Sequence, residues 1–184
     1  MSKHKILVIV DAQNDFITGA LANPIANERV PNIVNLINEK NWDLIITTFD
    51  THFNDYMNTR EGQKLPIPHC VYGTEGYNID QRIIDALSKC DNTPVVGLCK
   101  YTFGSNVLAG KIYDRFDLAP GDVLDIYFCG FCTDICVVSN ALAVKMELPN
   151  IANISVVANA CAGVTPEKHE AALEVMRSCQ INVI

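Results

Sequence analysis

The chain has 184 residues, 49% of them apolar, enough to bury a substantial core as one domain spanning 1–184. Its 14 Lys and Arg against 21 Asp and Glu leave a formal net charge of −7 with no basic block or basic-aromatic stripe, which argues against nucleic acid and anionic membrane as partners. No stretch approaches the roughly 18 consecutive apolar residues of a membrane span.

The first apolar run, "KILVIV" (5–10), stops at Asp11 with no small-residue cleavage site after it. It reads as a first strand rather than a signal peptide, and the chain as cytoplasmic. Its cysteines (Cys70, Cys90, Cys99, Cys129, Cys132, Cys136, Cys161 and Cys179) are then expected to be reduced, most of them as small core residues. Val30, Ile33, Val34 and Ile37 follow helical spacing, with Pro31 suited to the first turn of that helix. A second strand, "DLIITTF" (43–49), leads into a polar segment, 50–78, that is too long for an ordinary connection and reads as a functional loop. Ile79, Ile83, Ile84 and Leu87 mark another helix, followed by strands "PVVGLC" (94–99) and "VLDIYFC" (123–129). A helix is expected from Asp134 to Lys145 with Thr133 as its N-cap, then a strand "NISVVA" (153–158). Pro166 opens the helix "PEKHEAALEVMRS", and "INVI" (181–184) is the last strand. Near-continuous hydrophobicity predicts strands covered on both faces, in a three-layer α/β/α domain with a six-stranded, mostly parallel sheet.

Ligands of such folds bind at the carboxyl ends of the strands, so the residues just past each strand are the ones to weigh. Strand one is followed by Asp11, Gln13, Asp15 and Phe16, strand two by Asp50 and His52, strand three by Lys100, and strand four by "CGFCTDICVV". Cys136, in the first helical turn, is the best nucleophile candidate, because free N–H groups and the positive dipole end there favour a thiolate. Cys129 belongs to the strand and Cys132 to the turn. A zinc site built on those two would need a second cysteine pair that the chain lacks. A redox pair fits poorly while Cys129 is still in the strand. No histidine suits the role of base: His4 precedes strand one, His169 lies on the last helix, and His52 and His69 have another use. Asp11 is left as base, with Lys100 beside it to stabilise negative charge.

With "VDAQNDF" around Asp11, "CKYTFGS" around Lys100 and "GFCTDICV" around Cys136, in that order, the chain resembles the isochorismatase-like cysteine hydrolases, and among them the nicotinamidases. The resemblance covers essentially the whole chain. It implies hydrolysis of nicotinamide to nicotinate and ammonia through a Cys136 thioester. It also implies an oxyanion hole from the backbone N–H groups of Cys132 and Cys136, shaped by a cis peptide between Phe131 and Cys132. The loop is similar to the family's metal-binding segment, which implies one divalent ion on Asp50, His52 and His69 with Glu61 as fourth ligand. That donor set suits zinc, and also manganese or iron. Many nicotinamidases carry an aromatic residue three positions before the second histidine, where Pro66 stands here. Phe16, Tyr101, Phe103 and Phe131 are therefore the candidates for lining the ring pocket. Family analogy also suggests a homo-oligomer.

Three other readings compete. One is a cysteine hydrolase of the same family acting on another small amide or carbamoyl compound; hydrolysis of isochorismate fits less well, because that chemistry uses no thiol nucleophile. Another is a receiver-like signalling domain, although there the lysine follows the last strand. The third is a thiol-rich binding module without turnover.

Overall fold

A computed structural model describes residues 2–39 and 41–184. In chain order the elements are β1 (Lys3–Val10), α1 (Asn14–Ile17), α2 (Pro24–Asn38), β2 (Leu44–Asp50), α3 (Arg60–Lys64), α4 (Gln81–Leu87), β3 (Val95–Lys100), α5 (Leu108–Tyr113), β4 (Val123–Phe131), α6 (Val138–Glu147), β5 (Ala152–Ala162), α7 (Pro166–Ser178) and β6 (Asn182–Val183). A 3-10 turn at Tyr56–Asn58 and a π-helical turn at Thr133–Val137 complete them.

The six strands form one sheet in the order β3-β2-β1-β4-β5-β6, and every pair is parallel. The chain winds one way from β1 through β2 to β3, then crosses to β4 on the other side of β1. The strand order therefore reverses between β1 and β4, and a crevice opens at their carboxyl ends. The apolar runs of β1 and β2 are almost wholly buried, as expected of strands covered on both faces. β3 departs from that expectation: Val95 and Val96, on opposite faces of the strand, are 42% and 38% exposed. A continuous apolar run identifies a strand, but β3 lies at the sheet edge, where neither face is fully covered. No helix among the described residues is long and apolar enough to cross a membrane.

Side chains cap the starts of α2, α3, α4 and α7, and two starts differ from the sequence expectations. Asn23 accepts hydrogen bonds from the backbone N–H groups of Ile25 and Ala26, and Pro24 is the first residue of α2. Pro31 therefore sits inside the helix rather than opening it. It is exposed, so the carbonyl that its missing N–H leaves unpaired can bond water. Thr133 is not an N-cap either: Cys132 holds that position, no side chain caps the turn, and a wide π-helical turn precedes α6. Pro166 does open α7, behind a Thr165 cap.

Candidate active site

Asp11 follows β1 in a left-handed backbone conformation, φ +45°, uncommon for a residue with a side chain. Beside it on β4, Gly130 has φ +114°, and a Cβ there would lie 2.0 Å from the carbonyl oxygen of Val10. Only glycine allows the ends of β1 and β4 to approach this closely. The β4–β5 register shifts between Phe128 and Gly130, which redirects the chain toward the crevice. The Phe131–Cys132 peptide bond is cis.

These features bring Asp11, Lys100 and Cys136 together. Lys100 Nζ lies 2.6 Å from Asp11 Oδ2, 3.3 Å from Asp50 Oδ1 and 3.6 Å from Cys136 Sγ, and it donates to the Thr102 carbonyl at 3.1 Å. All three residues are buried, and Asp11 lies within hydrogen-bonding reach of the sulfur. Burial pushes the Asp11 carboxyl up; the Lys100 charge opposes this without cancelling it. Burial, reinforced by the Asp11 charge, likewise pushes the Cys136 thiol well up, and Lys100 pulls it only part of the way back. The helix-terminus argument predicted a thiolate. Burial and the neighbouring Asp11 carboxylate act against that, toward the thiol, and the Lys100 ammonium only partly offsets them. Lys100 is raised in turn by Asp11, Cys136 and Asp50, against its own desolvation, and stays protonated.

Thr48 on β2 is a contributor that the sequence did not single out. Its hydroxyl donates to Asp11 Oδ1 at 2.6 Å and accepts from the Asp11 N–H at 3.1 Å. Oδ1 is thereby occupied, whereas Oδ2 has Lys100 beside it and no well-aligned hydrogen bond, which leaves it free to take a proton. Replacing Thr48 with valine is expected to lower kcat about tenfold and to cost roughly 1–3 kcal/mol of stability, since it leaves buried groups unpaired. Thr48→Ser should restore both. Steady-state kinetics and thermal melts check this.

The second cluster stands beside the first. One ligand atom from each of Asp50, His52, Glu61 and His69 lies within 4.8 Å of the others. His52 Nε2 is 3.0 Å from Asp50 Oδ2 and 3.7 Å from Glu61 Oε1; His69 Nε2 is 3.5 and 3.7 Å from the same two atoms. His69 Nδ1 donates to the Ile67 carbonyl at 2.9 Å, which turns Nε2 toward the cluster. Burial pushes the Asp50 carboxyl up, but hydrogen bonds from His52 and His69 and the Lys100 charge outweigh it and hold it well below the usual carboxylate range. Two imidazoles and two carboxylates converging by these distances fit a divalent ion.

Supporting residues fix the loop that carries this cluster. Gln13 donates to the carbonyls of Asp50 and Tyr77, both at 2.9 Å, and accepts from the Asp50 N–H at 2.8 Å. Asp15 accepts from the Cys70 N–H at 2.7 Å, next to His69. Tyr56, buried and unnoticed in the sequence, packs its ring 4.7 Å from His52 and 5.1 Å from His69. Its only sequence signal was a tyrosine inside the loop.

Both clusters face one cavity of about 390 Å³, with Phe16, Leu65, Phe103, Ile135 and Val164 among its apolar walls and Cys136, Asp50, Glu61 and His69 among its polar groups. Two of the aromatic candidates are misplaced. Phe131 is fully buried in the core. Tyr101 is 66% exposed, stacks on Phe53 and borders a neighbouring hollow instead. Of the other cysteines, Cys129 and Cys161 are buried in the sheet, and burial pushes the Cys132 thiol, at the cavity wall with Cys136, up to about 12.

The model of the isochorismatase domain matches residues 5–184. The chain belongs to the isochorismatase family. Within it, a nicotinamidase of Schizosaccharomyces pombe is 28% identical over 214 residues, covering 100% of this chain and 94% of the relative. Among solved structures, the nicotinamidase/pyrazinamidase PncA of Bacillus subtilis superposes with a TM-score of 0.81 at 28% identity, covering 98% of both chains. A pyrazinamidase of Pyrococcus horikoshii in complex with zinc gives 0.75 at 27%, again over 98% of both. The six-stranded parallel α/β/α architecture is the one these family members share.

Proposed function

We propose that this chain, a hydrolase acting on amide carbon–nitrogen bonds, converts nicotinamide to nicotinate and ammonia through a thioester on Cys136. The observation that carries the reading is the Asp11–Lys100–Cys136 cluster opening on the same cavity as four metal-ligand donors. As Cys136 Sγ attacks the amide carbon, its proton passes to Asp11 Oδ2 and the carbonyl π electrons move to oxygen. That oxygen is received by the backbone N–H groups of Cys132 and Cys136. When the tetrahedral adduct collapses, the C–N bond breaks and Asp11 delivers the proton to the departing nitrogen as ammonia. Asp11 then takes a proton from water, which attacks the thioester carbon. The C–S bond breaks and the proton returns to sulfur. Lys100 stays cationic throughout and offsets the negative charge as it moves among Asp11, the tetrahedral oxygen and, when the C–S bond breaks, sulfur.

A divalent ion, zinc being the best match to the donors, would be held by Asp50, His52, Glu61 and His69 and would supply a Lewis-acid point for orienting a basic atom of the substrate. His52→Ala is expected to lower bound metal per chain, measured by elemental analysis after dialysis. Unchanged metal content would count against this ligand set.

Ammonia release from nicotinamide, pyrazinamide and a few aliphatic amides by metal-loaded protein tests the function. The heteroaromatic amides are expected to turn over. No turnover of any amide sinks the amidase reading. Turnover confined to aliphatic amides or carbamoyl compounds would favour the second reading, a relative with a different substrate, which the outward turn of Tyr101 keeps open. The nicotinamide hydrolysis proposed above would return the pyridine ring, as nicotinate, to pyridine-nucleotide synthesis in the cytoplasm.

A further inference from the structure

His169, which the mechanism above does not use, is tied to the turn that would receive the oxyanion. The π-helical turn at Thr133–Val137 starts directly after the cis peptide and closes with a bond from the Val137 N–H to the Cys132 carbonyl at 3.1 Å. It carries two residues, Thr133 and Asp134, whose side chains ordinarily cap helix starts by accepting from the first free N–H groups. Neither does so. The buried Thr133 hydroxyl is hydrogen-bonded to His169 Nδ1 at 2.8 Å, and Asp134 Oδ1 accepts from the Val164 N–H at 2.9 Å. At Gly163 the β5–α7 connection lies so close that a Cβ would come within 2.9 Å of Asp134 Oδ1 and 2.8 Å of the His169 backbone nitrogen. Both side chains are thus turned away from their own turn, Asp134 onto the β5–α7 connection and Thr133 onto α7. A capped turn gains rigidity by having its N–H groups consumed from within. Here the Ile135 and Val137 N–H groups bond the Cys132 carbonyl, both at 3.1 Å, while the two side chains brace the turn from outside rather than turning in on the N–H groups of Cys132 and Cys136.

We propose that His169 is a positioning residue, which acts through the Thr133 hydroxyl to hold the N–H groups of Cys132 and Cys136 where the tetrahedral oxygen develops. This rests on the amidase reading. Donors preorganised for a developing charge tolerate little displacement, so a loosened brace should cost turnover far more than substrate affinity.

The test compares His169→Ala, His169→Asn and Thr133→Val with wild type in three measurements. The first is nicotinamide kinetics. His169→Ala is expected to lower kcat roughly tenfold with KM within about twofold. Asn, whose amide reaches the place of Nδ1, should recover most of the loss, and His169→Ala/Thr133→Val should lose no more than either single change. The second is binding of pyridine-3-carbaldehyde. The Cys136 sulfur adds to its carbonyl carbon and the thiol proton ends on the hemithioacetal oxygen, which occupies the hole; its affinity should fall about as far as kcat. The third is alkylation of Cys136 by iodoacetamide, which makes no oxyanion and should be unchanged. Unaltered kcat and aldehyde affinity in His169→Ala overturn the proposal, as do additive losses in the double variant or equal losses in aldehyde binding and alkylation. Failure of the amidase reading looks different: wild type itself then releases no ammonia and binds no aldehyde, although Cys136 still alkylates.

Discussion

Cys136→Ala is expected to abolish ammonia release, lowering kcat by about 10⁴-fold or more, while metal content and thermal melting stay close to wild type. The size of the effect follows from the absence of a substitute. Cys132 is the other thiol at the cavity wall, and burial raises both thiols, so what distinguishes Cys136 is the cation and the base beside it. Lys100 donates to Cys136 Sγ, and Asp11 reaches the same atom. Cys132→Ala should therefore retain most activity, since only its backbone N–H is assigned a role. Cys136→Ser should be nearly as inactive as alanine, because a hydroxyl needs a stronger base than a buried carboxylate provides. Ammonia assays on the three variants separate these outcomes, and intact-mass measurement of wild type mixed with substrate should reveal an acyl adduct. Activity retained in Cys136→Ala would reject the nucleophile while leaving amide hydrolysis possible.

How much of this was legible in the chain depended on how local each signal was. Buried parallel strands are continuous apolar runs, so the six strands could be located, and the residues after them fell on one rim. Asp11, Asp50, Lys100 and Cys136 needed only that rule to be grouped. Thr48 did not stand out, because inside "DLIITTF" a threonine is an ordinary strand residue; its hydroxyl acquires a purpose only where β2 lies against β1. Thr133 illustrates the opposite error. Its composition and position suited a cap, but α7, more than thirty residues on, competed for the same hydroxyl and won it. Tyr101 and Phe103 are two residues apart in a loop without periodicity, so nothing in the sequence could say which would turn inward. The influences that oppose a thiolate at Cys136 were out of sight for a related reason. The dipole of a helix start is readable locally, whereas the burial of the sulfur comes from tertiary packing of its turn and the opposing charges come from Asp11, just after β1, and Asp50, at the end of β2.

Asp11→Asn should separate the two effects this carboxylate has on Cys136, because they act in opposite directions. As base, Asp11 takes the thiol proton, and its loss is expected to lower kcat by about 10³-fold, within the range of general-base deletions. As a neighbouring negative charge, it disfavours the thiolate, so the amide should let the thiol pKa fall and the thiolate fraction rise with Lys100 still 3.6 Å away. Alkylation of Cys136 by iodoacetamide near neutral pH is therefore expected to become faster in the same variant that no longer turns over. The pH profile carries the matching sign. The base must be ionised to work, and its pKa is raised by burial, so wild-type activity should fall with decreasing pH in a range above that of an ordinary aspartate. That acid limb should vanish from the residual rate of Asp11→Asn, with the apparent midpoint belonging to the Asp11–Lys100–Cys136 group rather than to one residue. Slower alkylation together with lost turnover would mean that Asp11 activates the sulfur in the resting state. The base would then have to act before substrate arrives, as in a preformed thiolate, rather than during attack.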